Sequence, residues 1–190
     1  MYIILTSKYV NYYQLFKHKK KIMKEIKTKR LVLRKPNNSN KQDLINQIGN
    51  LNVSQSLSNV PFPYTMEHAD QWLKTITQRA HKYNYSIFLN LALIGGVSLT
   101  SKEEETYELG YWLGEDFWGY GYATEAAKGL LNYIFENEEN PKITAGFLKG
   151  NTASANVLSK IGFKKTGAVE TYVLSLKKIS TLIQTKLEVG

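Results

Sequence analysis

The amino-acid sequence predicts an α/β fold: a twisted, mostly antiparallel mixed sheet of six to seven strands with helices on both faces. Three observations lead there. Residues 85–89, 93–100 and 106–113 are strand-like runs joined by connections short enough only for hairpins, which makes an antiparallel meander. Beyond it, Ala126, Ala127, Leu130, Leu131, Ile134 and Phe135 repeat with the 3.6-residue period of an amphipathic helix. Another strand then follows at residues 142–147, so helices and strands alternate and the sheet is mixed.

The elements read in order as follows. Residues 30–34 form a short strand closed by Pro36, and residues 43–48 a short helix ending at Gly49. Pro61-Phe62-Pro63-Tyr64 is an extended, semi-rigid loop, because each proline fixes φ and biases its predecessor away from helix. Thr65 caps a helix whose inward face is Ala69, Trp72, Leu73, Ile76 and Ala80. The first two meander strands turn tightly near Asn90, and residues 102–105 make a solvated hairpin tip without assigned function. Pro141 separates the long helix from the strand after it. Residues 152–161 are a short helix stopped by Gly162, and residues 163–174 and 181–189 are two closing strands.

Length and composition set bounds. A chain of 190 residues with 43% hydrophobic and 22% charged side chains has the size and make-up of one globular domain. Cysteine is absent, which rules out disulfides, thiolate metal sites and a cysteine nucleophile, and no metal site is predicted. No apolar run is long enough to span a membrane, and Ile3-Ile4-Leu5 is too short for a signal peptide core. The cytoplasm is the expected compartment. The net charge of +9 is concentrated at one end: residues 1–35 carry eleven Lys/Arg and one Glu, the rest fourteen basic and fifteen acidic residues. Residues 1–22 therefore read as a basic leader, which is either an electrostatic arm for RNA or anionic lipid, a solvated tail or a stretch ahead of a biological start at Met23, and residues 23–190 as the domain. No nucleic-acid partner is expected for a body so nearly neutral.

Chemistry concentrates at three places. Trp118-Gly119-Tyr120-Gly121-Tyr122-Ala123-Thr124 joins an apolar strand to the best helix in the chain. Glycines let backbone N–H groups face a ligand, and a helix start adds orphan donors and partial positive charge. The loop is either a phosphate receptacle or a tight turn. On residues 106–113, Tyr107, Leu109, Tyr111 and Leu113 share one face and Glu108, Gly110 and Trp112 the other. Gly110 signals a bulge or the close approach of a ligand. Glu108 is either a general base for an attacking amine or a strand glutamate facing solvent. Ser154 sits on the buried stripe of its helix with Val157, Leu158 and Ile161, so its hydroxyl needs a partner: backbone in the first turn, or a ligand.

Together these segments resemble a known family. Residues 28–163 are similar to the GNAT superfamily of acyl-CoA-dependent N-acyltransferases, in particular its RimJ/RimL-like branch. The resemblance lies in Thr28-Lys-Arg-Leu-Val-Leu-Arg, Pro61-Phe-Pro-Tyr-Thr with the Trp72 helix, Glu108-Leu-Gly-Tyr-Trp-Leu with Trp118-Gly-Tyr-Gly-Tyr-Ala-Thr-Glu-Ala, and Asn151-Thr-Ala-Ser through Lys160-Ile-Gly-Phe. It implies a GNAT fold and direct transfer of acetyl from acetyl-CoA to a primary amine on a peptide N-terminus or a small molecule. By the same resemblance, the glycine loop and helix start hold the pyrophosphate. The backbone of Tyr111, Trp112 and Leu113 pairs with the pantetheine arm, and Asn151 and Asn156 bind that arm from the other side. Glu108 is the implied base, Ser154 a candidate donor to the leaving thiolate, and Phe62, Tyr64 and Trp72 the border of the acceptor pocket. Where many relatives carry a thiolate-protonating tyrosine, this chain has Leu158. A monomer or homodimer is expected. Two other readings are a dinucleotide-binding oxidoreductase-like domain, although its third fingerprint glycine is here Thr124, and a non-catalytic acyl-CoA-binding protein.

Overall fold

The computed structural model describes residues 25–78, 83–103 and 105–188. The basic leader, Ala80 and residues 104 and 189 lie outside them. Eight strands form one sheet in the order β1-β2-β3-β4-β5-β6-β8-β7: β1 Glu25–Lys27, β2 Leu31–Arg34, β3 Tyr83–Leu89, β4 Ala92–Glu103, β5 Thr106–Leu113, β6 Lys142–Leu148, β7 Phe163–Val173 and β8 Lys178–Leu187. Among the described residues five α-helices accompany them: α1 Lys41–Ile48, α2 Leu51–Ser54, α3 Met66–Gln78, α4 Tyr122–Asn137 and α5 Thr152–Ile161. The strand beyond the expected seven is β1. Three residues are too few to show a period, and β1 exists because it pairs with β2 and buries Ile26.

Two apolar clusters lie on the two faces of the sheet. The larger joins Leu31, Leu33, Ile87, Leu99 and Leu109 to the stripe of α4 and to Leu158 of α5. The smaller gathers Leu44, Ile48, Val53, Val60 and Ala69, with Trp72 and Trp112 packed against it. Sequence patterning explains most of this. Leu31 and Leu33 alternate inward in β2, and Ala126, Ala127, Leu130, Leu131 and Ile134 turn one side of α4 to the sheet. Helix ends follow local chemistry. Thr65 Oγ1 accepts from the His68 N–H at 3.4 Å, and Asn151 Oδ1 accepts from the Ser154 N–H at 3.0 Å. Gly162 closes α5 at φ +107°, a left-handed conformation open to glycine at little cost.

The topology has one consequence for the site. Strands β2 to β5 are antiparallel neighbours, but β5 and β6 are parallel, since α4 carries the chain across between them. Their pairing runs only from Thr106↔Lys142 to Leu109↔Ala145. Past that point β6 leans to β8, with which it pairs out to Leu148↔Leu182, while β5 stays with β4 out to Leu113↔Gly95. The sheet therefore splits between Leu109 and Leu113.

Among the paired described strands, β5–β6 is the sole parallel pair. That corrects the dinucleotide-binding alternative, whose doubly wound sheet requires a run of parallel strands. A second correction concerns Gly110. It pairs in regular register with Ser98, and the irregularity in this hairpin falls between Ser101 and Glu103. The faces assigned to β5 are consequently undisturbed. Among the described residues, no helix is long and apolar enough to cross a membrane.

Candidate active site

The split opens a cavity of about 600 Å³ that passes from one face of the sheet to the other. One wall is β5, from Glu108 to Leu113. The opposite wall is β6 and α5, with Gly146, Asn151, Ser154, Asn156 and Val157. The glycine loop closes one end and residues 56–59 border the other side.

Backbone geometry decides what the β5 wall offers. The Gly114 N–H donates to the Ile94 carbonyl at 2.9 Å, so residue 114, and by alternation Trp112 and Gly110, turn their peptide groups toward β4. Tyr111 and Leu113 turn theirs the other way, into the split, where β6 has departed. The Leu113 carbonyl is taken at 2.9 Å by the Trp118 indole N–H. A linear ligand with amide groups can complete the sheet here through the N–H and C=O of Tyr111. Of the three residues expected to pair through backbone, Trp112 instead presents its indole to the cavity, and that ring lies over Gly96. A Cβ at Gly96 would stand 2.5 Å from the Trp112 Nε1.

At the loop, Gly119 and Gly121 adopt φ of +84° and +79°, and Gly121 is the N-cap of α4 with no side-chain cap. The orphan N–H groups of Tyr122, Ala123 and Thr124 are thus available to an anion, and a Cβ built on Gly119 would meet nothing within 4 Å. The receptacle is braced from outside. Arg30 Nε donates to Glu125 Oε2 at 2.7 Å, Arg30 Nη1 donates to the Tyr120 carbonyl at 3.0 Å, and the guanidinium lies 4.5 Å from the Tyr122 ring centroid. Glu125 also accepts from Thr28 Oγ1 and from the Arg30 N–H. Burial pushes the Glu125 carboxyl up. Hydrogen bonds from Thr28 and Arg30, with the guanidinium charge, outweigh that and leave it below the ordinary value. Arg30 was not anticipated, although a carboxylate in the first turn beside an anion receptacle was a signal that a cation must compensate it.

Glu108 and Ser154 stand on opposite faces of β5. Glu108 shares its face with Trp112, lines the cavity, and meets Lys102 Nζ at 2.5 Å through Oε2. Lys102, expected in a solvated tip, belongs to β4 and reaches diagonally across to this carboxylate. Ser154 lies with Tyr111 on the α5 side. Its Oγ is 2.9 Å from the Tyr111 hydroxyl, which also donates to the Ser154 carbonyl at 3.2 Å. Within the chain, Ser154 Oγ has a partner not named from the sequence, the Tyr111 hydroxyl, and the helix cap is supplied by Asn151. Burial pushes the Tyr111 phenol up to about 12, against an opposing pull from the Ser154 hydrogen bond. Leu158 is 1% exposed and points into the core.

Of the residues named from sequence, Glu108, Tyr111, Trp112, Leu113, Trp118, Gly119, Gly121, Tyr122, Ala123, Thr124, Asn151, Ser154 and Asn156 line this one cavity. Tyr120 does not line it. Its side chain is exposed and stacks on Tyr122, while its carbonyl is held by Arg30. Phe62, Tyr64 and Trp72 also do not line it. Phe62 is exposed, and Tyr64 and Trp72 pack on the smaller apolar cluster. The side expected of them is bordered by Ser56, Leu57, Ser58 and Asn59.

A split parallel pair with a glycine loop and an uncapped helix start at its end is joined by a family match: the acetyltransferase (GNAT) domain model covers residues 30–164. The chain belongs to the GNAT acetyltransferases. It is 28% identical over 156 residues to the uncharacterized N-acetyltransferase p20 of Bacillus licheniformis, covering 79% of this chain and 88% of that one. Its fold matches a GNAT acetyltransferase from Bacillus anthracis with TM-score 0.75 at 22% identity, covering 86% and 97% of the two chains. It likewise matches RimL, a ribosomal alpha-N-protein acetyltransferase in complex with coenzyme A, with TM-score 0.71 at 19% identity over 87% and 99% of the chains. This GNAT member is an N-acetyltransferase with the mixed sheet of the family.

Proposed function

We propose that this GNAT protein transfers acetyl from acetyl-CoA to a primary amine, that of a peptide N-terminus first among candidates, with the acceptor entering beside residues 56–59. The observation that carries this reading is the through-sheet cavity with Glu108 on one face of β5 and Ser154 on the other. The donor fits the residues present: orphan N–H groups and an open cradle at Gly119 suit its pyrophosphate, and the free Tyr111 peptide edge suits its amide-bearing arm. Bound acetyl-CoA supplies an activated acyl thioester.

Every other requirement falls to the chain. Glu108 receives the proton that the amine sheds, directly or through one water. Ser56, Ser58 and Asn59 offer hydrogen bonds to a polar acceptor, and Leu57 ties their loop to the smaller core. Tyr64 and Trp72 pack on the same smaller core as Leu57 and support that loop from there. Ser154 faces the place where the thiol departs. A thiol's ordinary pKa of about 8.5 makes it an undemanding leaving group, so one hydrogen bond rather than a strong acid suffices. Asn151 and Asn156 hold the arm from the α5 side, and the cytoplasm is the compartment proposed.

The test is release of coenzyme A thiol from acetyl-CoA with pooled N-terminal peptides in one arm and small amines in the other. Turnover with peptides and little with small amines is the expected result. Turnover confined to small amines would overturn the acceptor class, and none with either would overturn the reaction.

A further inference from the structure

In the reading above Tyr111 serves through its backbone, yet its side chain makes a polar contact of its own inside the cavity wall. Tyr111 Oη lies 2.9 Å from Ser154 Oγ and 3.2 Å from the Ser154 carbonyl. A carbonyl oxygen only accepts, so the phenolic hydrogen goes to Ser154 O and the serine hydrogen is left to point at Tyr111 Oη. In that state Ser154 has no proton to offer the cavity. A second state uses the same heavy-atom positions: the phenolic hydrogen turns to Ser154 Oγ, and the serine hydrogen swings into the cavity. Both states need only hydroxyl rotation, and in the second the two O–H groups form a chain whose members polarise each other. Leu158, sealed in the core, takes no part.

We propose that Tyr111 is a positioning residue whose hydroxyl switches from the Ser154 carbonyl to Ser154 Oγ and thereby aims the serine proton at the departing sulfur. The inference rests on the proposed placement of the thioester beside Ser154. No proton leaves Tyr111. The amine nitrogen bonds to the acyl carbon, the C–S bond breaks and its electron pair goes to sulfur. Coenzyme A departs as the thiolate, which Ser154 meets with one hydrogen bond, backed by a second from the phenol, and which takes its proton from solvent. The amine proton leaves separately, by way of Glu108, to solvent. Burial keeps the phenol protonated through neutral pH, so the backing donor is always present.

Tyr111→Phe keeps the ring and its packing and deletes only the switch. The readout that needs no turnover is ionisation of the coenzyme A thiol in the binary complex, followed by ultraviolet thiolate absorbance across pH, with binding checked by calorimetry. In the parent protein the bound thiol should ionise at lower pH than free coenzyme A, and Ser154→Ala should restore the free value. Tyr111→Phe should reduce the ionisation constant roughly three- to tenfold, the value of one net hydrogen bond, and the double variant should match Ser154→Ala alone. If Ser154→Ala shifts the thiol while Tyr111→Phe does not, the switch is overturned and the proposed placement stands. If coenzyme A binds and neither variant shifts it, Ser154 is not at the sulfur and the inference falls with it. Failure of coenzyme A to bind the parent protein would overturn the function reading itself.

Discussion

Glu108 and Ser154 divide the proposed chemistry by standing on opposite faces of one strand. Alternation along β5 puts Glu108 with Trp112 and residues 56–59, and puts Tyr111 with α5. In the proposed reaction an amine arriving from the first side meets a carboxylate, and a thiol leaving on the second meets a hydroxyl. Glu108→Gln keeps the shape and removes the proposed base. It should lower kcat/KM for thiol release on the order of a hundredfold, most severely at the acid end, where the amine most needs its proton taken, with coenzyme A affinity unchanged in calorimetry. A pH–rate profile parallel to that of the parent protein would take Glu108 out of the mechanism. At this scale the sequence was only half informative. The inward or outward sense of Glu108 follows from period-two alternation, but its Lys102 partner does not, because a diagonal cross-strand contact depends on the hairpin register.

Among the elements, α4 carries most of the site, and what sets its N-terminus is a brace from the other end of the sheet. Arg30 and Thr28, in the turn between β1 and β2, bond Glu125 in the first turn of α4. Gly129, one turn further on, lets the helix settle onto that turn: a Cβ there would lie 2.6 Å from Thr28 Cγ2. The sign of the pH effect follows from the lowered Glu125 carboxyl. A carboxylate held below its ordinary 4.5 binds protons more weakly folded than unfolded, so its contribution is full above that value and is lost as pH falls through the folded one. Glu125→Gln should therefore lower Tm at neutral pH, and the gap to the parent protein should close on acidification below about pH 4.5. A gap independent of pH in scanning calorimetry would show that the charge is not what matters. The helix itself was plain in its 3.6-residue period. Its brace was not, since residues nearly a hundred positions apart share no local pattern.

Over the whole molecule, the aromatic residues around both cores link folding to alkaline pH. Burial pushes the phenols of Tyr64, Tyr85 and Tyr111 up to about 12, with Tyr133 adding to the effect at Tyr85. Tyr83 is raised further by burial and then by the Glu138 carboxylate, with which it is hydrogen-bonded. Raised phenols bind protons more tightly folded than unfolded. Their contribution is complete below pH 10 and disappears as pH climbs toward 12. Stability should hold to about pH 10 and then fall steeply, with tyrosinate absorbance appearing together with the loss of helix in circular dichroism. Tyrosinate forming well before unfolding would mean that these phenols are open to solvent.

By itself the sequence determined the strands of the meander, the α4 stripe and the glycine loop, and it singled out Glu108 and Ser154 as candidates. Those are short-range properties: a period, a turn, a cap. The tertiary structure alone decided where β5 and β6 part, that Tyr111 rather than Leu158 meets Ser154, and that residues 56–59 rather than Phe62, Tyr64 and Trp72 border the cavity. The physical reason is that each depends on where separate strands and helices come to lie: past Ala145 β6 stays paired through its far edge with β8 out to Leu148, while its near edge leaves β5. Such placements bring together segments far apart in the chain, and no local pattern in any one segment records them.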